Sequence, residues 1–404
     1  MKWVNLLHFY QPFWQKREIL EKVVKESYQP ILKILKENKK VKITFNICGS
    51  LTEILIKFGF KEILNEFKKI ALKGQIEFTG SAVYHPILPL LPKEEVIRQI
   101  KLNEKINKKI FGKIWQPKGF FLPEMAYDKK TAKIIKSLNY QWLILDEIAY
   151  NGKIGKVNFT KVYQIKNLKM NVVFRNRGLS DIFYTGWLDS EEKFYQALKN
   201  DKRSDEFLIT AFDGENLGHH KPGSEKIFEN LVKKIETTTI SEFIEKIKEK
   251  EIVEPIPSSW SAREIEIKQK IPYPLWFHPQ NKIHQLQWQL TYLIIRKINR
   301  FKKDKKFKEA RELLDRALNS CQYWWASAMP WWSFEIIEEN TENFVKIFKI
   351  LEKKDLKLIK TAEKIKEKII SMAKKWQEEG LVEKTKNHYL KGEPIRYFGG
   401  EVVK

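Results

Sequence analysis

The chain has 404 residues, of which 43% are hydrophobic, so it is too long for one small core and too apolar for a disordered chain. Its formal net charge is +24, but most lysines are interspersed with glutamates at helical spacing. We therefore expect a solvated basic surface and no nucleic-acid partner. The two cysteines do not form the pattern of a disulfide framework, and no apolar run approaches the roughly 20 residues that span a bilayer. Because no signal-peptide pattern is present, we expect a cytoplasmic protein that does not bind membranes; its oligomeric state stays open.

Short apolar runs alternate with helical patterns over the first half of the chain. Such alternation predicts a parallel sheet, because parallel neighbours need a crossover connection, and about seven strands can close into a barrel. Helical patterns such as residues 94–111 and 130–138 lie between the runs, and residues 147–166 are predicted to be an insertion that forms a hairpin. The predicted strands are residues 3–8, 42–48, 75–79, 119–122, 141–145, 171–175 and 206–212.

The pattern changes after Lys250. Two proline-rich extended segments precede a helix whose apolar residues recur with a period of 3.6 from Ile283 to Ile294. Further helices are predicted at residues 305–326, 334–353 and 355–379, and an irregular tail at residues 387–404. The predicted fold is α/β, a (β/α)7 barrel over residues 1–255 followed by a C-terminal α-helical bundle over residues 256–404.

Polar side chains follow six of the seven predicted strands. Strand ends in one βα series meet at the C-terminal face of a barrel, where barrel enzymes hold their catalytic groups. Any single residue could be a helix cap or a turn residue, but the set as a whole predicts an active site. The candidates are His8, Gln11, His85, Glu124, Asp146, Glu147, Arg175, Asp181, Asp213, Glu215, His219 and His220.

Two of these carboxylates, Glu124 and Asp213, follow the fourth and seventh strands. Two carboxylates on either side of one bond are the groups that cleave glycosides, one as nucleophile or base and the other as proton donor. In the second half, Trp324, Trp325, Trp331 and Trp332 fall within nine residues, and such rings suit stacking on sugars as well as packing between helices. We expect about two of the four to be packing residues.

Five segments resemble, in chain order, the motifs of glycoside hydrolase family 57. They are "HFYQP", "GSAVYHPILPLL", "FLPEMAY", "AFDGENLGHH" and "CQYWWAS". The resemblance implies a seven-stranded barrel, a helical domain over residues 256–404 that completes the active-site cleft, and retaining cleavage of α-glucans without a metal or other cofactor. It also implies that Glu124 is the nucleophile and Asp213 the general acid/base, and that the partner is an α-glucan or a maltooligosaccharide.

The same resemblance implies a set of substrate-binding residues. His8 contacts the sugar of the first donor subsite, and Trp260 and Trp276 stack on it. His85 stands where some members have a glutamate, which favours an amylase-like over a glucanotransferase-like enzyme. The full expected set is His8, Gln11, His85, Asp181, Glu215, His219, Trp260, Trp276, Trp324 and Trp325.

Several alternatives stay open. A 4-α-glucanotransferase or a glucan branching enzyme would use the same two carboxylates. A metal-dependent hydrolase could place a divalent ion on His8, Asp213, His219 and His220, although neighbouring histidines do not share one helix face. An inactive glucan-binding homologue is a third possibility, and retention of both carboxylates argues against it.

Overall fold

The structure is a computed structural model that describes residues 1–392. It divides into a first unit, Met1–Trp260, and a second unit that begins at Ser261. The first unit therefore extends five residues beyond the expected domain boundary. Hydrogen bonds explain the difference, because Ile256 N donates to Ala149 O and Ser258 pairs with Tyr127 as an isolated bridge. Within the described residues, no helix is long and apolar enough to cross a membrane.

All seven predicted strands are present in the first unit, and three short strands were not predicted. Burial is complete along the second and fifth strands, as expected of a sheet covered on both faces. The strands are β1 (Lys2–Phe9), β2 (Ile43–Ile47), β3 (Ile76–Thr79), β4 (Gly119–Phe121), β5 (Trp142–Asp146), β6 (Val162–Ile165), β7 (Asn171–Arg175), β8 (Phe207–Asp213), β9 (Glu236–Thr238) and β10 (Lys250–Val253).

The seven predicted strands form one parallel ring, which confirms the barrel. One sheet has the order β3-β2-β1-β8, with β9 also paired to β1, and the other has the order β10-β6-β7-β5-β4. The two sheets meet where Gly80 bridges Phe120 beyond β3, and where Asn176 N donates to Ile209 O of β8 at 2.8 Å. The carboxyl ends of all seven strands consequently lie at one end of the ring.

Helices cover the ring as the alternation predicts, and the patterns at residues 94–111 and 130–138 are confirmed as helices. The insertion contains a short helix, Ile148–Asn151, and only one strand, β6, so the hairpin forms between β6 and the next strand, β7, to which β6 pairs antiparallel. A π-helical turn, Val24–Tyr28, joins the first two helices. The helices of this unit are α1 (Arg17–Val23), α2 (Gln29–Glu37), α3 (Gly49–Lys57), α4 (Lys61–Leu72), α5 (Lys93–Phe111), α6 (Lys129–Ser137), α7 (Ile148–Asn151), α8 (Arg177–Thr185), α9 (Glu191–Asn200), α10 (Ser224–Lys234) and α11 (Ile240–Lys246).

The second unit is helical, which confirms the predicted class of this part of the chain. The prediction of one helix over residues 305–326 is wrong, because the helix ends at Ala317. Asn319 bonds instead to the carbonyl oxygen of Arg316 and to Asn340, and such side chains compete with helical hydrogen bonds. The helices are α12 (Glu264–Lys268), α13 (Lys282–Ile298), α14 (Phe307–Ala317), α15 (Cys321–Trp324), α16 (Phe334–Lys349), α17 (Leu356–Glu378) and α18 (Leu381–Leu390).

Two predicted ends in this unit also need correction. The helix predicted to reach residue 353 ends at Lys349, and residues 387–390 of the expected irregular tail belong to α18. The predicted irregular tail from residue 393 onward lies outside the described residues.

Candidate active site

The C-terminal end of the barrel brings together side chains from strands that are far apart in the sequence. His8 on β1 lies directly opposite Asp213 on β8 in the register of the two strands. Glu124 follows β4 in a short 3₁₀ turn, Pro123–Met125. The structure therefore places these polar side chains at the end of the barrel where barrel enzymes hold their catalytic groups.

His8 is buried and its tautomer follows from its neighbour Asn46. The Asn46 amide nitrogen donates to Thr79 Oγ1 at 2.9 Å, so its oxygen is the acceptor that faces His8 Nδ1 at 2.7 Å. The His8 Nδ1 hydrogen is therefore bound to Asn46, and Nε2 is the acceptor atom. Burial lowers the pKa of His8 to about 4, which keeps the ring neutral.

Aromatic rings surround His8 in a column. The rings of His8 and Phe121 stack with centroids 4.4 Å apart, those of His8 and His85 are 4.9 Å apart, and those of Tyr10 and His85 are 4.3 Å apart. Burial holds the pKa of His85 well below its usual range, so this ring is neutral as well. The column provides a rigid wall with polar ring edges, which suits a sugar ring better than a charged ligand.

Glu124 is held by groups on two other segments. Trp260 Nε1 donates to Glu124 Oε2 at 2.9 Å, and His85 Nδ1 lies 3.5 Å from Glu124 Oε1. Glu124, Met125 and His85 all have positive φ, at 59°, 46° and 58°. Such strained backbone persists only where the surrounding structure imposes it, and it clusters at functional sites. The glutamate is thus presented in one orientation by a strained turn.

Asp213 is partly buried at the end of β8. Burial raises the pKa of its carboxyl group to about 6, which the positive charge of Arg175 partly offsets and the negative charge of Asp181 increases. A carboxylic acid with a pKa near neutral pH is suited both to donate and to accept a proton. Asp213 is therefore suited to the role of general acid/base.

Arg175 and Asp146 form a buried ion pair that the set of expected substrate-binding residues did not include. Arg175 Nε donates to Asp146 Oδ2 at 2.7 Å, and one terminal nitrogen lies 3.1 Å from Asp181. The guanidinium also lies over the ring of Trp260, at 5.3 Å. The sequence signal for Arg175 was a charged residue at the very end of an apolar strand. Only the fold shows that Arg175 contacts both Asp181 and the Trp260 ring.

Glu215 and Gln11, both expected to bind substrate, contact each other near Asp213. Tyr28 OH donates to Glu215 Oε1 at 2.6 Å, and Gln11 Nε2 lies 3.4 Å from the same oxygen. Burial, followed by the charge of Asp213, raises the pKa of Glu215 to about 8. Glu215 is accordingly a neutral acid at pH 7 that can donate a hydrogen bond. Nothing in the local sequence pattern pointed to Tyr28.

His219 lies on the same loop but is directed to another partner. Its Nδ1 donates to Glu26 Oε2 at 2.6 Å. Its ring is next to that of His220, with centroids 4.9 Å apart. The expected substrate contact of His219 stays a prediction, and its observed contact is structural.

The remaining three expected residues are in the second unit. Trp276 has no exposed surface, so its ring offers no face to a sugar, and this placement does not support the expected stacking role. Trp324 and Trp325 are partly buried and form a cluster with Trp331, whose ring lies 4.7 Å from Trp324. Trp332 instead stacks on Trp376 of α17, as expected of a packing residue.

One group of side chains within residues 1–392 has the composition of a metal site. His8, Cys48 and His85 each bring a donor atom within 4.8 Å of the others. The Nδ1 hydrogen of His8 is already bound to Asn46, however, which leaves only Nε2 of this ring as a donor atom for an ion. Burial also raises the pKa of the Cys48 thiol, which opposes the thiolate that a metal needs. This group does not include Asp213, His219 or His220 of the metal alternative.

The chain is similar to known proteins in both sequence and fold. A profile described as glycosyl hydrolase family 57 matches residues 2–257. The chain is 30% identical over 142 residues to α-amylase 1 of Dictyoglomus thermophilum, which covers 35% of this chain and 20% of that protein. It is 24% identical over 141 residues to 4-α-glucanotransferase of Thermococcus litoralis, which covers 35% and 21%.

These matches span about a fifth of the length of the curated relatives. Among solved structures, the branching enzyme of the family 57 type from Pyrococcus horikoshii superposes with a TM-score of 0.70 at 18% identity. The superposition covers 91% of this chain and 94% of that chain. At this level of identity the likeness shows a shared fold.

Proposed function

Because the chain belongs to glycosyl hydrolase family 57, we propose that it cleaves the α-1,4 bonds of α-glucans with retention of configuration. In this proposal Glu124 is the nucleophile and Asp213 the general acid/base. The observation that supports it most is the contrast between the two carboxyl groups. Glu124 is oriented by the indole N–H of Trp260, whereas burial raises the pKa of Asp213 to about 6.

The reaction proceeds in two displacements. A carboxylate oxygen of Glu124 bonds to the anomeric carbon while the bond to the glycosidic oxygen breaks and Asp213 gives its proton to that oxygen. The Asp213 carboxylate then takes a proton from water, whose oxygen bonds to the anomeric carbon and releases Glu124. Neutral His8 and His85 line the site with ring nitrogens that exchange hydrogen bonds with sugar hydroxyls without adding charge.

Other side chains are proposed to bind the sugar. Gln11 and Glu215 provide neighbouring polar groups, and the neutral carboxyl group of Glu215 can donate a hydrogen bond to a sugar hydroxyl. Trp260 adds an aromatic face beside Glu124. Trp324 and Trp325 are proposed to stack on glucose rings, since both keep part of their surface exposed. Asp181 is proposed to act chiefly through Arg175, to which it is ion-paired.

A transferase is the second candidate function. Hydrolysis and transfer share the covalent intermediate and differ only in whether water or a sugar hydroxyl attacks it. The observation that favours this alternative is the similarity to a protein named 4-α-glucanotransferase and, in fold, to a branching enzyme. The products of the reaction distinguish the hydrolase from the transferase.

Incubation with maltoheptaose tests the proposal, and Glu124→Ala serves as the control. We expect shorter maltodextrins with new reducing ends from the wild type and none from the variant. Longer and shorter chains at a constant number of reducing ends would establish the transferase, and new α-1,6 bonds would establish the branching enzyme. An unchanged substrate with the wild type would refute α-glucan cleavage.

We expect the pH dependence of kcat/KM to report the ionisation of Asp213. Asp213 must be protonated to donate, so kcat/KM falls as the pH rises above its pKa of about 6. The negative charge of Asp181 raises that pKa, and Asp181→Asn removes the charge while it keeps the shape. We expect the alkaline limb to move to lower pH by about half a unit or more.

The matched control is Asp189→Asn, which breaks an exposed ion pair with Lys193 and leaves the site intact. Its alkaline limb should coincide with that of the wild type. A limb that stays in place or moves to higher pH in Asp181→Asn would contradict the assignment of Asp213.

A further inference from the structure

The π-helical turn Val24–Tyr28 contacts the loop that follows Asp213 through three consecutive residues. Glu26 Oε2 accepts from His219 Nδ1 at 2.6 Å. Ser27 Oγ donates to the carbonyl oxygen of Gly214 at 2.9 Å. Tyr28 OH donates to Glu215 Oε1 at 2.6 Å. The turn therefore holds residues 214–219, which we call the acid loop, at both of its ends.

A fourth contact comes from the backbone. A Cβ added to Gly218 would lie 1.9 Å from the carbonyl oxygen of Glu26, so only glycine allows the loop to lie against the turn. Gly218 also has φ of +98°, which side chains rarely adopt. Pro30 has no N–H to donate to that carbonyl oxygen four residues earlier, so it disfavours an ordinary α-helical turn here. π-turns within helices frequently occur at functional sites.

The acid loop begins directly after Asp213, so its contacts with the turn lie close to Asp213 along the chain. β8 ends at Asp213, and the next residues form the 3₁₀ turn Gly214–Asn216. A Cβ on Gly214 would lie 2.2 Å from the Phe9 ring, so the chain leaves the strand against packed aromatic carbon. Ser27 and Tyr28 are themselves completely buried. A shift of either side chain is consequently transmitted to the backbone beside Asp213.

We propose that the π-helical turn is a positioning element for the acid/base, and that Tyr28 and Ser27 are its positioning residues. This inference rests on the role proposed for Asp213. Proton transfer needs the donor within hydrogen-bond distance of the glycosidic oxygen, and small displacements of a catalytic group lower rates steeply. Because both side chains are completely buried, they act through the loop that they hold.

Tyr28→Phe tests the proposal, because it removes one hydroxyl and keeps the buried ring. We expect kcat on maltoheptaose to fall about ten-fold, while turnover of a 2,4-dinitrophenyl α-maltoside changes less than about two-fold in its first step. The activated leaving group needs no acid, so only a misplaced Asp213 separates the two substrates. Equal losses on both substrates would mean general damage and would refute the positioning role.

Hydrogen exchange gives a readout that does not depend on activity. We expect the amides of the acid loop to exchange about ten-fold faster in Tyr28→Phe, with the rest of the barrel unchanged. The control is Tyr163→Phe, which removes another buried hydroxyl, bonded to Asn158. Ser27→Ala is the second variant if Tyr28→Phe does not fold, with the same pattern of effects.

The two readouts separate the two proposals. Suppose that the wild type is inactive but Tyr28→Phe speeds hydrogen exchange in the acid loop. This result would refute the proposed function and would still support the contact by which the turn holds the loop. An active wild type whose loop exchange and substrate ratio are unchanged in Tyr28→Phe would refute the positioning role alone.

Discussion

Glu124→Ala is expected to lower kcat on maltoheptaose by about 10⁴-fold or more, since no neighbouring group can replace a nucleophile that forms a covalent bond. The structure supports this expectation through the way the side chain is held. Trp260 Nε1 binds one oxygen at 2.9 Å, and His85 lies 3.5 Å from the other. The truncated side chain leaves a space at the anomeric carbon that a small anion can enter.

Azide provides the decisive control for this variant. An azide ion in place of the missing carboxylate bonds to the anomeric carbon as the leaving group departs, and the product is the β-glucosyl azide. We expect added azide to restore turnover of an activated α-glucoside by Glu124→Ala and to yield that β product. Rescue that yields the α-glucosyl azide would assign Glu124 to the acid/base role and would contradict the proposal.

Asp213→Ala is expected to lower kcat/KM on maltoheptaose by about 10²–10⁴-fold, the range typical of a lost general acid/base. The loss on a dinitrophenyl α-glucoside should be much smaller in the first step, because that leaving group departs without a proton. The physical reason is the protonated state of Asp213, whose pKa burial raises to about 6. The alkaline limb of the pH profile should also disappear on the activated substrate.

Azide distinguishes this variant from the first. The covalent intermediate on Glu124 still forms, and azide then attacks from the face that water uses. The expected product is the α-glucosyl azide, opposite in configuration to the product of Glu124→Ala. A uniform loss on both substrates, without rescue by azide, would indicate that Asp213 has only a structural role.

The local pattern of apolar and polar residues predicted most of the fold. The alternation of apolar runs and helical periods predicted the seven parallel strands because strand and helix periods differ and parallel strands require crossovers. It failed where side chains compete with the backbone for hydrogen bonds, as at Asn319. It also missed the short strand β6, which pairs with β7. Both failures depend on partners distant in the sequence or on bonds that apolar periodicity does not report.

The site was predictable to the level of residue types at strand ends. Polar residues that end successive strands must share one face of a barrel, so the grouping of His8, Glu124 and Asp213 followed from the sequence. Their chemical states did not. The tautomer of His8 depends on Asn46, 38 residues away, and the environment of Glu215 depends on Tyr28, 187 residues away.

The sequence by itself determined the fold class through its periodicity and the two candidate carboxyls through their places at strand ends, and the order of the motifs came from the resemblance to the family. Only the tertiary structure decided what surrounds each candidate residue. It buried Trp276 completely, engaged His219 with Glu26, and brought Arg175 and Asp181 near Asp213. Burial and charge act through space, and distances through space between residues far apart in the chain are set by packing, which no local pattern encodes.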